Sequence, residues 1–406
     1  MKISYFISRR LAIASGKSFS RLIIRVAVTA VALSVGVMIV AGAIVNGFQQ
    51  EISEKVFGFW GHITIRSLEQ GRSYGEVPVS INQSFYPGLE KAKGVRHIQV
   101  FATKAGILKT SQEMEGMVLR GIGTDFDWTF LKKYLVEGNI LTAGDSSAKK
   151  QIMISKTTAD RLNLHVNDDV IVYFVQNPMR YRKLTITGIY KTGLDEYDRL
   201  YAIVDIALIQ RINNWTSEDV GGFEVFINNV NQLDQMGTVI NSEYIGQDLE
   251  AKTMKQVNPN LFDWLDLQTM NEKVIIILMI LVAIINMTTV LLILILERTN
   301  MVGILKSLGG SNWMIRKIFL YQAAYITALG LFLGNVFGIG ICLAQKYFEI
   351  IKLPEESYYV SVAPVLIDPV YILSINAGTL LVCLITLIIP SYLVSRITPV
   401  KAIRFK

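Results

Sequence analysis

Few residues in this 406-residue chain have the types and spacing that chemistry requires. Ser15 to Ser18 reads SGKS, like the end of a loop whose backbone amides cradle phosphates. That loop needs a glycine five residues before Gly16, and Leu11 stands there with no strand-like run ahead of it, so ATP binding by this segment is not expected. His62, His97 and His165 are scattered, with no second ligand at helix or hairpin spacing, which disfavours zinc. Asp195, Glu196 and Asp198 in TGLDEYD have the makings of an acid–base pair or a cation site, but a glycine-initiated polar turn between strands accounts for them as well. A GxSxG nucleophile signature is absent. Nothing recommends an enzyme, and this chain is expected to bind no metal and no cofactor.

The elements that carry these residues are dominated by four apolar stretches: 26–45, 274–296, 318–343 and 369–393. Each can cross a hydrocarbon core of about 30 Å, which takes about 20 helical residues, and none holds an Asp, Glu, Lys or Arg. The mean hydropathy of +0.39 agrees. The first stretch is longer than a signal-peptide core of about 7 to 15 residues, so it reads as a retained helix. Segments 1–25, 297–317 and 394–406 carry +13 between them against +7 for the whole chain, which leaves −6 elsewhere. Basic residues mark the cytosolic side, so both termini and the 297–317 segment are expected inside the cell. The positive charge is thereby a topology signal and not a nucleic-acid footprint.

Residues 46–273 are then extracytoplasmic and as long as one large domain. Cys342 and Cys383 both fall in apolar stretches, so this domain has no disulfides and depends on its own core. Strand-like HITIR (62–66), a short helix over 83–93 and strands over 95–108 form one unit; Phe223–Ile227, a helix over 230–244 and a strand over 248–254 form another. Val170–Val175 and Lys183–Tyr190 predict a hairpin whose turn holds Asn177 and Pro178. The expected fold is membrane α-helical plus a large α+β extracytoplasmic domain. That domain comprises a split α/β subdomain, 46–105 with 221–273, and a β-rich insert, 106–220. A shorter extracytoplasmic loop is expected over 344–368.

Within the membrane part, Gly330, Gly334 and Gly338 recur every fourth residue on one helix face, where a neighbouring backbone can approach closely. Gln322, Asn335, Asn286 and Asn376 are costly in lipid unless paired, and helix packing accounts for them. The 297–317 segment reads ERTNMVGILKSLGGSNWMIRK. Met301, Ile304, Leu305 and Leu308 give a helix there one apolar stripe. Gly309 and Gly310 stop it, and Ser311 or Asn312 caps the next helix. Physics alone allows this stripe to lie on headgroups or to dock a protein.

Resemblance favours docking. Glu297, Arg298 and Val302 to Ser311 resemble the cytoplasmic coupling region of ABC permeases of the MacB/FtsX-like superfamily. Asn46–Ile65, GIGTDFD (121–127), TITGIYKTGLDEYD (185–198) and the ending SYLVSRITPVKAIRFK (391–406) are similar to its lipoprotein-releasing branch, the LolC/LolE-like permeases. The resemblance implies two permease subunits, the same or related chains, working with an ABC ATPase dimer that holds ATP and Mg. It also implies an acylated lipoprotein cargo taken from the outer leaflet of a Gram-negative inner membrane, and a periplasmic chaperone that receives it. It further implies ATPase coupling through Glu297, Arg298, Met301, Ile304, Leu305, Leu308 and Gly309, and a lipid-facing wall of Met38, Ile44, Phe48, Ile276 and Ile280. Chaperone contact falls to Pro178, Met179 and Arg180, in a hairpin visibly shorter than the family's recruiting hook, so the chain is either the non-recruiting partner or half of a homodimer. A MacB-like efflux or secretion permease, an FtsX-like signalling permease controlling a cell-wall hydrolase, and a receptor-like sensor without an ATPase are the alternatives, separable by what co-purifies.

Overall fold

A computed structural model describes residues 18–69, 76–110, 113–145, 148–176 and 178–392. Most of the basic N-terminal segment, SGKS included up to Lys17, and the tail from residue 393 lie outside the described residues. The chain divides into two compact units. One comprises Met1–Gln49, Trp264–Lys352 and Val362–Lys406; the other comprises Gln50–Asp263 and Leu353–Ser361.

The first unit is helical, built from α1 (Ser18–Trp60), α2 (Pro259–Glu297), the short α3 (Thr299–Ser307), α4 (Asn312–Phe348) and α5 (Pro369–Thr386). Among the described residues four helices are long and apolar enough to cross a membrane: α1 from Leu22 onward, α2, α4 and Pro369–Ser391. The 43 residues of α1 amount to about 65 Å of helical rise at 1.5 Å per residue. The expected spans 26–45 and 274–296 are therefore interior parts of longer helices. Past Val45 the sequence turns polar, but helical periodicity continues: Ile52, Val56 and Phe59 are fully buried at i, i+4 and i+7, and the Gln50 amide donates to the Glu54 carboxylate at 2.7 Å.

Gly330, Gly334 and Gly338 of α4 lie against α1. A Cβ at Gly330 would stand 2.7 Å from Val31 Cβ, one at Gly334 2.8 Å from the Ala32 carbonyl, and one at Gly338 3.1 Å from the Gly36 carbonyl. Only glycine permits this approach, the small-residue packing that lipid-embedded helices depend on. Asn335 of α4 and Asn376 of α5 exchange amide hydrogen bonds of 2.7 and 2.9 Å, so each satisfies the other away from water. Cys342 and Cys383 are buried free thiols.

In the second unit, α1 ends at Trp60 and the chain enters strand β1 (Ile63–Ser67) after a two-residue turn. The further strands are β2 (Val79–Ser80), β3 (Val95–Lys109), β4 (Met114–Ile122), β5 (Leu135–Gly138), β6 (Gln151–Ser155), β7 (Asp169–Phe174), β8 (Arg180–Tyr190), β9 (Tyr201–Asp205), β10 (Asp219–Val220), β11 (Gly222–Ile227) and β12 (Leu249–Thr253). All but β2 and β10 form one ten-stranded sheet in the order β12-β1-β11-β3-β4-β9-β6-β8-β5, with β7 joining β8 back to β3. Strands β3, β4, β9, β6, β8 and β7 thus close on themselves, a barrel with no free edge among them. Its interior holds Leu119, Ile152, Ile154, Val172, Phe174, Ile186 and Val204.

The expected division at 105/106 cuts through β3, one strand that serves both halves. Its start pairs with β11 and its end with β7. A strand long enough to serve two parts of one sheet offers no composition break to mark the boundary. The helix expected over 83–93 is only one 3-10 turn, Gly88–Lys91, because Pro87 disfavours helix at Tyr86 and Gly94 follows closely at φ +99°.

Two consequences are measurable. Gly334→Leu is expected to abolish a monodisperse folded chain in detergent, judged by gel filtration, whereas Gly340→Ala, where a Cβ meets nothing within 4 Å, leaves it intact. His62 is buried against Phe57, ring centroids 4.6 Å apart, and its Nδ1 faces the Ile227 amide at 3.4 Å. Burial, with Arg96 nearby, lowers its pKa to about 4. The unfolded chain therefore takes up more protons between about pH 6.5 and 4, and stability falls as pH drops through that window. The fall in melting temperature from pH 7 to pH 5 should be smaller in His62→Gln than in the native chain.

Candidate functional site

The segment between α2 and α4 is a tight helical hairpin whose fold is written in its backbone. Helix α3 stops at Ser307 because Gly309 takes φ +89°, a conformation that favours glycine. The Gly310 amide donates to the Leu305 carbonyl at 2.8 Å and the Gly309 amide to the Lys306 carbonyl at 3.1 Å, the paired bonds of a Schellman cap. A Cβ at Gly310 would meet the Leu305 carbonyl at 2.6 Å. The chain then restarts at once, with the Ser311 hydroxyl accepting from the Met314 amide at 3.2 Å.

The expected four-residue stripe divides. Met301 and Leu305 pack against the helical core, and Val302 and Gly303 are buried. Ile304 and Leu308 are 53% and 78% exposed. Treating all four as one outward docking face is thus corrected: α3 has apolar residues on two sides, and i, i+3, i+4 spacing does not say which side meets the protein's own core. The outward surface gains Trp313, 57% exposed, with the Lys317 ammonium 5.0 Å from its ring centre. A tryptophan two residues after a capping serine was the signal for it. Arg298 precedes α3, its carbonyl accepting from the Val302 amide at 3.0 Å; Glu297 closes α2 and is exposed.

Of the five wall candidates, Met38 is fully buried inside the helical core, which removes it from any surface. Gly36 and Gly42, on either side of it in sequence, let Phe337 of α4 and Tyr371 of α5 come against α1, since a Cβ at either glycine would stand 3.0 Å or less from those rings. Ile276 and Ile280 are half-buried against the same core, Ile44 is half-buried, and Phe48 meets Trp264 edge-on at 6.3 Å. Nearby, the Gln49 amide donates to the Thr269 hydroxyl and the Tyr371 hydroxyl to the Glu272 carboxylate at 2.6 Å.

The β7–β8 hairpin presents Val175, Met179 and Tyr181, 71%, 66% and 62% exposed, and Pro178 is exposed beside them. Arg180 differs. Its guanidinium donates to the Ile212 carbonyl at 2.8 Å, the Arg211 carbonyl at 3.1 Å and Asn214 Oδ1 at 2.9 Å. It closes the carboxyl end of helix Ile206–Asn213, where a cation is favoured, and so positions the turn instead of offering itself to a partner.

The TGLDEYD carboxylates lie on a short helix, Asp195–Leu200, and not in the turn expected there. Asp198 is buried and accepts from the Thr192 amide and hydroxyl and the Gly193 amide at 2.7 to 3.1 Å. Burial pushes its carboxyl up while those bonds hold it back. Asp195 pairs with Arg199 at 2.8 Å. His97 bridges Glu90 and the Asp125 carbonyl. Among the described residues no three His, Cys, Asp or Glu come together as a metal site.

The MacB-like periplasmic core domain family matches residues 26–241, and the FtsX-like permease C-terminal family matches residues 273–399. The chain belongs to the MacB/FtsX-like permease family. This permease is 23% identical to the lipoprotein-releasing system transmembrane protein LolC of Xylella fastidiosa, across 93% of this chain and 92% of that one. It is 22% identical to the protein of the same name from Neisseria meningitidis, across 96% and 95%. Among solved structures it is similar to the periplasmic region of MacB from Actinobacillus actinomycetemcomitans at 16% identity and TM-score 0.36, over 49% of this chain and 91% of that one. The α2–α4 hairpin lies within the FtsX-like match, and the permease is LolC-like along almost its whole length.

Gly309→Ala in the purified permease should cost α3 about 1 kcal/mol, read as faster amide exchange across 299–307 with the rest of the chain unchanged.

Proposed function

We propose that this chain is the permease subunit of an ABC transporter that extracts lipoproteins from the outer leaflet of the inner membrane and passes them to a periplasmic chaperone. The observation that carries this reading is the end-to-end similarity to relatives named for lipoprotein release, 93% of this chain against 92% of the Xylella protein. It spans the coupling hairpin and the strand-rich domain together.

In this reading both termini and α3 are cytosolic and the strand-rich unit is periplasmic. ATP and Mg are held by a separate ATPase dimer, and this chain contributes no catalytic group. The exposed Ile304 and Leu308, with Glu297, Arg298 and Trp313 around them, meet the ATPase; Met301 and Leu305 hold α3 to the spans, and the Gly309 cap fixes its angle. Because Val302 is buried and the cap leaves α3 no slack, a push on α3 moves α2 and α4 instead of bending the hairpin. The stiff spans carry that movement outward.

The energetic case rests on the lipid. Burial is worth about 0.8 kcal/mol per methylene, so several acyl chains leave a bilayer only with external work. Ile44, Phe48, Ile276 and Ile280, near the outer ends of α1 and α2, are the side chains we assign to the apolar path, facing a second permease of the same or related sequence. Pro178 and Met179 at the hairpin tip, joined by Val175 and Tyr181, are assigned to the chaperone.

Gentle detergent purification followed by mass spectrometry tests the reading: an ABC ATPase and acylated peptide are expected together with this chain. Ile304→Asp should lose the ATPase while the spans still insert. Recovery of a cell-wall hydrolase or an outer-membrane channel in place of acylated peptide would overturn the lipoprotein assignment.

A further inference from the structure

The most desolvated charge in the strand-rich unit is not used by anything described so far. Arg120 of β4 and Glu224 of β11 are both fully buried, and one guanidinium nitrogen, Nη2, donates to both Glu224 oxygens at 2.6 and 2.8 Å. Gln99 of β3, the strand between them, donates its amide to the same carboxylate at 2.7 Å and accepts from the Asp127 amide at 2.9 Å. Nε and Nη1 of Arg120 have no hydrogen-bond partner. What surrounds the guanidinium is aromatic: its carbon lies 4.9 Å from the ring centre of Phe59, 4.8 Å from Trp60 and 5.3 Å from Phe126.

Phe59 and Trp60 are the last two residues of α1. The turn that follows has no slack. Gly61, at φ +73°, caps the helix by donating to the Phe57 carbonyl at 2.8 Å, and the His62 amide already pairs with the Val225 carbonyl at 2.9 Å. Thr64 of β1 stands opposite Glu224 itself. The helix end is therefore held twice, through β1 pairing and through a cation against its two terminal rings.

We propose that Arg120, fixed by Glu224, is the positioning residue that clamps the end of α1 to the sheet, so that displacement of α1 moves the periplasmic sheet as one body. An ion pair buried merely for stability is poorly explained, since apolar residues of similar volume usually serve as well or better. A planar cation that stacks on aromatic faces while its other edge is tied to a carboxylate suits a grip that must resist sliding. This inference rests on the permease reading above. It adds the point at which helix motion is handed to the exported domain.

The test uses the full chain assembled with its ATPase in lipid vesicles. Arg120→Met with Glu224→Gln removes the cation without leaving a buried unpaired charge and keeps an acceptor for the Gln99 amide. The expected result is ATP turnover within twofold of the native complex but about tenfold less lipoprotein released per ATP hydrolysed. A purely structural role would lower the number of intact complexes, reducing turnover and release in proportion and leaving that ratio unchanged; a ratio within twofold of native overturns the proposal. A second readout does not need the cargo: nucleotide binding by the ATPase should alter amide exchange in β4 and β11 of the native chain, and the double variant should abolish that difference. Persistence of the difference overturns the clamp. If native complexes release no lipoprotein, the cargo assignment fails and the exchange readout alone judges the clamp. Should the double variant not assemble, Trp60→Leu, which leaves the ion pair in place, is judged by the same two measurements.

Discussion

A helix of 43 residues is about twice as long as a bilayer needs, and the half that lipid does not cover has to be buried by protein. Helix α1 meets this requirement with Ile52, Val56 and Phe59 along one face and Trp60 at its end, all taken into the strand-rich unit. Much of the unit's design follows from accepting that helix end. Strand β1 starts after two intervening residues, its partner β11 carries Glu224, and the next strands in the sheet carry Gln99 and Arg120. Desolvating that guanidinium costs several kcal/mol, a cost offset only while the carboxylate, the glutamine amide and the rings are all in place. The helix, the sheet register and the buried charges are consequently one cooperative arrangement.

At its other end the same helix is fixed by shape. Glycines on α4 let the two backbones approach until their neighbours touch, and the Asn335–Asn376 amide exchange ties α4 to α5. In lipid, close packing and satisfied amides replace the hydrophobic effect as the source of specificity. The α3 hairpin joins α2 to this assembly through a cap made entirely of backbone bonds. All three places are closely packed, as the proposed passage of displacement through the helices requires.

Several features were legible in the residues because they are local. The apolar stretches, the Gly309–Gly310 stop before Ser311, the β7–β8 hairpin and the four-residue glycine repeat all depend on neighbours in sequence. Misreadings arose where partners are distant. As an arginine in a hairpin turn Arg180 reads as an offered cation, yet its nitrogens are taken by carbonyls some thirty residues away. Met38 falls on the lipid-facing wall that the resemblance implies, but its burial depends on the helices packed against α1. The α3 stripe was visible as apolar residues; its division into an inner and an outer pair depends on which side the core occupies.

The sequence by itself determined that this chain has four apolar stretches long enough to cross a bilayer, resembles a recognisable permease family, and has a domain that depends on its own core. Composition, periodicity, charge asymmetry and local motifs carry that information without any fold. The tertiary structure alone decided that β3 serves both the barrel and the strands beside it in one sheet, that α1 continues to Trp60, and that Arg120 meets Glu224 and the end of α1. The physical reason is sequence separation. Arg120 and Glu224 are 104 residues apart, and no local pattern distinguishes an arginine bound for the surface from one whose carboxylate and aromatic partners arrive from other strands and another helix.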